Sequence, residues 1–270
     1  MNKLKKAIKG LSAVIKNPYL LNLVISDNTY WESHLLKKKH RNALPIVDVK
    51  TLFGEINENI NTYAFLDGGS LPTDILLLKL LAKRFKDCKY FEIGTWRGES
   101  VANVAEVAKE CYTLNLSREE IINLGLSEKY ADLHAFFSKN VENIKHLYGN
   151  TLQFDFESLG AQQKFDLIFI DGDHHYDYVK KDTENVFRHL VHENSIVVWH
   201  DYGYSSAEVR KEVYAAILDG IPADKHENLY HVSNSLCAIY TREKPLTYQL
   251  EVPAKPNKKF QINIRTCNLG

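Results

Sequence analysis

The sequence predicts an α/β fold: a doubly wound, mostly parallel sheet of seven strands closed by an antiparallel terminal hairpin. Three observations lead there. Phe165 to Ile170 is an almost unbroken apolar run that stops abruptly at Asp171-Gly172-Asp173-His174-His175, which reads as a strand buried on both faces. From residue 90 onward, short apolar runs alternate with amphipathic helical stretches, the pattern of a wound parallel sheet. Near the end, Leu229–Val232 and Leu236–Tyr240 flank Ser233-Asn234-Ser235, as in a hairpin. In open α/β sheets ligands bind beyond the carboxyl ends of the strands, so Asp171 to His175 is expected to be the chemical edge of the molecule.

Composition narrows the class. The 270 residues are 44% apolar and 25% charged, with Lys plus Arg equal to Asp plus Glu at 34 each. That balance gives no electrostatic case for nucleic acid. Cys88, Cys111, Cys237 and Cys267 are far apart and form no CxxC or CxxH pair, so they read as small hydrophobes in a reducing compartment. No stretch approaches ~20 consecutive apolar residues, and the basic start lacks a small-residue cleavage signature. The expected location is the cytoplasm.

In chain order, three parts are expected: a helical extension over 1–66, the main domain over 67–243, and a β-hairpin tail over 244–270. Residues 3–16 place Leu4, Ile8, Leu11 and Ile15 at helical spacing among Lys3, Lys5, Lys6, Lys9 and Lys16. Such a basic amphipathic helix packs on its own domain, on a second subunit in a homo-oligomer, or on an anionic membrane surface. Residues 19–66 lean helical and are expected to form a cap or lid. After the turn cluster at Asp67–Pro72, Ser70 or Thr73 is expected to cap an apolar helix over 73–86. Strands are expected at 90–93, 111–114, 151–154, 167–170 and 195–199, with helices at 100–109, 176–190 and 208–218. In the tail, TYQLEV and FQINIR look like two edge strands around a Pro/Lys turn.

The turn after the first strand carries specific chemistry. Glu92-Ile93-Gly94-Thr95-Trp96-Arg97-Gly98 is an E-x-G-x-x-x-G turn into a helix. Gly94 allows a sharp bend, and Gly98 is expected to let a ligand approach the helix N-terminus. A dinucleotide site needs G-x-G-x-x-G, so an NAD-dependent oxidoreductase is disfavoured by the missing third glycine.

The turn resembles motif I of class I S-adenosylmethionine-dependent methyltransferases, and the stretch from Phe165 to Gly203 resembles the group with metal-dependent macrolide sugar O-methyltransferases. The resemblance covers about residues 67–241. It implies a Rossmann-like methyltransferase fold binding S-adenosylmethionine. Gly94, Thr95 and Gly98 would line its methionyl part, with Glu92 near the amino group or supporting the loop. Asn115 stands where the family carries an acid for the ribose hydroxyls. Asp155 falls where the family contacts adenine, although the turn Asp155-Phe156-Glu157-Ser158 equally suits a cap. The resemblance further implies Asp171 and Asp201 as ligands of a divalent metal and His174 as general base toward a hydroxyl of a small, sugar-like acceptor.

His200 departs from the pattern by replacing a carboxylate. Magnesium prefers oxygen and imidazole suits transition metals, so either metal, or none, is compatible with Asp171, His200 and Asp201. Without a metal, His174 or His200 would act as base, oriented by Asp173 or Asp201. A non-catalytic cofactor-binding or partner-binding module is the alternative reading.

Overall fold

A computed structural model describes residues 3–17, 28–160, 162–205, 208–249 and 255–268. Residues 18–27 of the expected cap and 250–254 of the expected tail lie outside them. The N-terminal part contributes α1 (Lys3–Lys16), α2 (Asn28–Lys37), β1 (Ile46–Val47) and α3 (Val49–Phe53). Then come α4 (Pro72–Ala82), β2 (Lys89–Ile93), α5 (Glu99–Ala105), β3 (Glu110–Asn115), α6 (Arg118–Asn123), α7 (Glu128–Ala131) and β4 (Ile144–Tyr148). The second half runs β5 (Phe165–Ile170), α8 (Tyr176–Asn185), β6 (Val191–Trp199), β7 (Gly203–Ser205), β8 (Glu208–Val209), α9 (Lys211–Gly220), β9 (Leu229–Val232), β10 (Ala238–Tyr240) and β11 (Thr247–Tyr248).

Among the described residues the main sheet has nine strands in the order β11-β1-β9-β10-β6-β5-β2-β3-β4. From β6 to β4 every pair is parallel, while β10 runs antiparallel to both β6 and β9. The reversal of strand order at β2 and β5 puts a crevice above their carboxyl ends. Side-chain alternation splits the core in two. Phe91, Ile93, Ile168, Ile170, Val197 and Trp199 face one layer with α8 and α9. Tyr90, Leu167, Phe169, Ile196 and Val198 face the other with α4 and α5. Each such buried side chain contributes about 1.5–3 kcal/mol, which is why these strands read as continuous apolar runs.

Several expectations are corrected. The sheet has two strands beyond the seven of the main domain. Thr247–Tyr248, at the start of the expected TYQLEV edge strand, pairs with β1. Ile46–Val47 pairs with β9 and was not expected, because two residues leave no periodicity to read. The strand expected at 151–154 lies instead at Ile144–Tyr148, and 151–153 is a turn. That edge strand carries Lys145 and His146, so its apolar signal is weak. Residues 260–265 form no strand, and Phe260, Ile262 and Ile264 are exposed. Alternation makes a strand only where a neighbouring edge supplies hydrogen bonds.

The N-terminal part braces the domain. Trp31 stacks on Tyr176 at 4.6 Å. Asp219 of α9 accepts from Lys38 Nζ at 2.6 Å and from Tyr176 OH at 2.6 Å, and faces His34 Nε2 at 2.7 Å. Residues 56–66 form neither helix nor strand. Lys79, buried in α4, holds them by donating to Asn59 O at 2.8 Å. The helix α4 begins at Pro72, a position where a missing N–H costs nothing. Its first turn is closed by Asp74, not by Ser70 or Thr73: Asp74 Oδ2 accepts from Leu71 N at 2.8 Å.

Candidate active site

The glycine turn sits where β2 meets β3 and β5. Gly94 N donates to Leu114 O at 2.9 Å, and Asp171 N donates to Ile93 O at 2.8 Å. Gly94 has φ +91°, and a Cβ there would lie 2.0 Å from the Asp171 carbonyl oxygen. Only glycine lets these two strand ends touch. At Gly98 (φ +79°) a Cβ would lie 2.3 Å from Ser138 Oγ. The direction a side chain at Gly98 would take is therefore filled by the segment between β3 and β4.

Glu92 supports this loop from below. It is fully buried, and its Oε2 accepts from Tyr90 OH at 2.6 Å and Ser100 Oγ at 2.8 Å. Burial pushes its carboxyl up to about 8, so it is neutral at pH 7. The native state then holds a proton that the unfolded chain releases above about pH 4.5. Its contribution to stability falls as pH rises through that window and levels off above the native value. Between about pH 5 and pH 8 the wild type should lose roughly 3–5 kcal/mol through this group, and Glu92→Gln should not. Urea midpoints at both pH values check this; parallel losses in the two proteins would refute a buried neutral acid.

A cavity of about 480 Å³ opens over the carboxyl ends of β2, β3 and β4, lined by Thr95, Asn115, Ser117, His134, His146 and Tyr148 among others. Its size suits a small-molecule ligand. Thr95 and Thr113 hydroxyls are hydrogen-bonded to each other in its floor. Asn115 Nδ2 donates to Leu116 O at 3.1 Å and to His134 Nδ1 at 2.7 Å, which leaves the His134 proton on Nε2. Burial lowers the His134 pKa, and its Nε2 is buried with no partner among the described residues. Trp96 packs beside His134, 4.8 Å from Tyr130 and 5.0 Å from His134 between ring centroids. Ala135 N donates to Trp96 O at 2.6 Å and Phe137 N to Arg97 O at 2.9 Å, so the segment after β3 is tied directly to the turn.

The acid–histidine rim lies beside this cavity, at the ends of β5 and β6. His200 Nδ1 is 3.0 Å from Asp171 Oδ1 and 3.2 Å from Asp201 Oδ2, while its Nε2 is 3.0 Å from Asp74 Oδ2. Asp74 is fully buried, and its Oδ1 accepts from Leu236 N at 2.9 Å. Burial alone would lower the His200 pKa, but the carboxylates of Asp171, Asp201 and Asp74 outweigh it and hold it well above the usual value. Burial would raise Asp201, yet His200, His174 and Arg210 hold it at about 2. His174 Nδ1 lies 3.1 Å from the same Asp201 Oδ2, with its side chain about two-fifths exposed. Asp201 has φ +54°, a left-handed conformation that aspartate tolerates better than most residues.

The structure thus brings Asp171, His174, His200 and Asp201 together and adds Asp74, which sequence reasoning missed. The ligand atoms of Asp171, His200 and Asp201 all lie within 4.8 Å of one another. Asp173 does not join them: it pairs with His175 at 2.5 Å on the surface. Asp155 takes the capping role, its Oδ1 accepting from Glu157 N at 3.0 Å and Ser158 N at 3.3 Å. It follows the last residue of β4 by a turn and does not line the cavity. His134, Ser117 and Tyr148 were also missed. The only readable signal among them was Ser117-x-x-Glu120, the capping box of α6.

Residues 91–202 match a family model described as a methyltransferase domain. No curated protein matches the chain. Among solved structures it is similar to the O-methyltransferase TomG of Streptomyces achromogenes, involved in tomaymycin synthesis and solved with S-adenosylmethionine. That match has 16% identity and a TM-score of 0.46, covering 65% of this chain and 82% of that one. An O-methyltransferase of Bacillus cereus, solved with S-adenosylhomocysteine, is 17% identical at a TM-score of 0.46, covering 66% of this chain and 84% of that one. CalS11, a TDP-rhamnose 3'-O-methyltransferase of calicheamicin biosynthesis, is 15% identical at a TM-score of 0.45, covering 64% and 80%. No described helix is long and apolar enough to cross a membrane.

Proposed function

We propose, from the premise that this chain carries a class I S-adenosylmethionine-dependent methyltransferase domain, that it methylates a hydroxyl of a small, sugar-like acceptor at the acid–histidine rim. The observation that carries this reading is the direct contact of Gly94 with the Asp171 backbone, which sets a cofactor cavity and a reactive rim side by side. We read residues 67–243 as the catalytic unit, with 1–66 and 244–270 as its extensions.

The adenosine half of the cofactor is assigned to the cavity. There Asn115 and the unpaired Nε2–H of His134 offer hydrogen bonds to its ribose or base. The methionyl half is assigned to Gly94–Thr95, with Glu92 holding the loop through its Oε2, which accepts from the Tyr90 and Ser100 hydroxyls. Bound there, S-adenosylmethionine would supply its sulfonium methyl to the acceptor oxygen, with the hydroxyl proton passing to a base. His174 is that base: Asp201 orients its Nδ1, leaving Nε2 for the proton. His200 is not, because both its ring nitrogens face carboxylates.

The rim also fits a divalent ion. Asp171, Asp201 and His200 Nδ1 would hold it, and Asp74 would take the His200 Nε2–H, as a carboxylate behind a metal-bound histidine does. One nitrogen among oxygen donors suits a first-row transition ion better than magnesium. A bound ion lowers the pKa of an acceptor hydroxyl.

Calorimetry should show S-adenosylhomocysteine binding to the purified chain, and no heat at high micromolar ligand would overturn the reading. Chelator treatment, followed by metal analysis of the protein, should remove a transition ion and depress turnover. Cofactor affinity should stay unchanged.

A further inference from the structure

We infer that α1 is an anchor for an anionic lipid surface. None of its residues is buried, and Ile8, Leu11 and Ile15 are 61%, 65% and 72% exposed. Positions 8, 11 and 15 recur at three- and four-residue steps, so they form one stripe on the helix. Lys5, Lys6, Lys9 and Lys16 fall on the remaining arc. A helix of this length with no tertiary burial is marginal in water, so the apolar stripe calls for a cover.

Charge says what covers it. Residues 1–26 contain five lysines and no acid, the first being Asp27. The whole chain has 34 basic and 34 acidic side chains. The remainder therefore holds 34 − 5 = 29 basic against 34 acidic, a net of −5. A net charge of +5 is thus gathered on a helix that leaves its apolar stripe in water. An anionic bilayer satisfies both halves: the stripe enters the headgroup boundary, and the lysines reach the lipid charges with their stems along the surface. A second copy of the helix would satisfy only the stripe, because α1 has no acid to pair with lysines across a helical seam.

Each lysine near a charged membrane surface is worth about fivefold in affinity. The full chain should therefore co-sediment with vesicles of equal parts phosphatidylglycerol and phosphatidylcholine at least about tenfold more tightly than with phosphatidylcholine alone, and salt should weaken the binding. The double variant Ile8→Asp/Leu11→Asp should abolish sedimentation. Lys5→Glu/Lys9→Glu should weaken it at least about tenfold. Neither should change S-adenosylhomocysteine affinity, since α1 buries nothing in the domain. Equal partition into both vesicle types, or none into either, overturns the inference. So does a dimer by light scattering that Ile8→Asp/Leu11→Asp splits without any vesicle binding, which would assign the stripe to a second copy.

Discussion

Replacing Gly94 with alanine should cost about 3–5 kcal/mol of folding stability, summing the left-handed backbone penalty and the clash. The added Cβ would fall 2.0 Å from the Asp171 carbonyl oxygen and 2.8 Å from Gly172 N. Both are backbone atoms of the neighbouring strand end, so no rotamer relieves the contact; the β2–β5 seam has to open. Two other glycines grade the effect. At Gly98, also left-handed, the Ser138 Oγ at 2.3 Å can rotate away but its Cβ at 2.8 Å cannot, so about 2–3 kcal/mol is expected. At Gly54 (φ +70°) nothing lies within 4 Å, and only the backbone penalty of about 1 kcal/mol remains. Urea denaturation of the three alanine variants should rank them Gly94, Gly98, Gly54 from largest loss to smallest. Gly94→Ala as stable as Gly54→Ala would mean that the turn and the rim are not in contact. Cofactor affinity should fall with Gly94→Ala alone, because the seam is where the cavity meets the rim.

What the sequence carries and what it hides divide along physical lines. Central strands are legible because burial on both faces forces unbroken apolar runs, as in Phe165–Ile170. The rim is legible because charged residues that directly follow such a run have to lie at the sheet's edge. Asp74 is not legible: it is 126 positions from His200, and in the first turn of a helix an aspartate has an ordinary explanation. Only the packing of α4 against the ends of β6 and β10 makes it the third carboxylate around His200. His134 is hidden for a similar reason. It lies in an insert without periodicity, and its role comes from one contact with Asn115. The shift of the third strand of the wound half to Ile144–Tyr148 shows the limit of apolar pattern at an edge, where one face stays wet. Of the two readings open for Asp155, the structure shows the turn cap.

His174→Ala should lower kcat by about 10²–10⁴, the range set by loss of a positioned general base. S-adenosylhomocysteine affinity should remain within about twofold, since His174 lies on the rim and not in the cavity. Three neighbouring substitutions separate this role from a structural one. Asp201→Asn leaves His174 in place but removes the carboxylate 3.1 Å from its Nδ1, so kcat should fall with the fold intact. His200→Ala should behave differently, because it strands Asp74, fully buried, without its partner; breaking such a pair costs about 3–5 kcal/mol of stability. Asp74→Asn keeps a hydrogen-bond acceptor for His200 Nε2 and should soften that loss. Thermal denaturation sorts the set: His174→Ala close to wild type, His200→Ala far below it. If His174→Ala turned over normally while Asp201→Asn did not, the proton would leave by another route, and Asp201 would act through the rim rather than through His174. If both turned over normally, the rim would hold the acceptor without doing chemistry on it. The methyl transfer would then rest on proximity in the crevice alone.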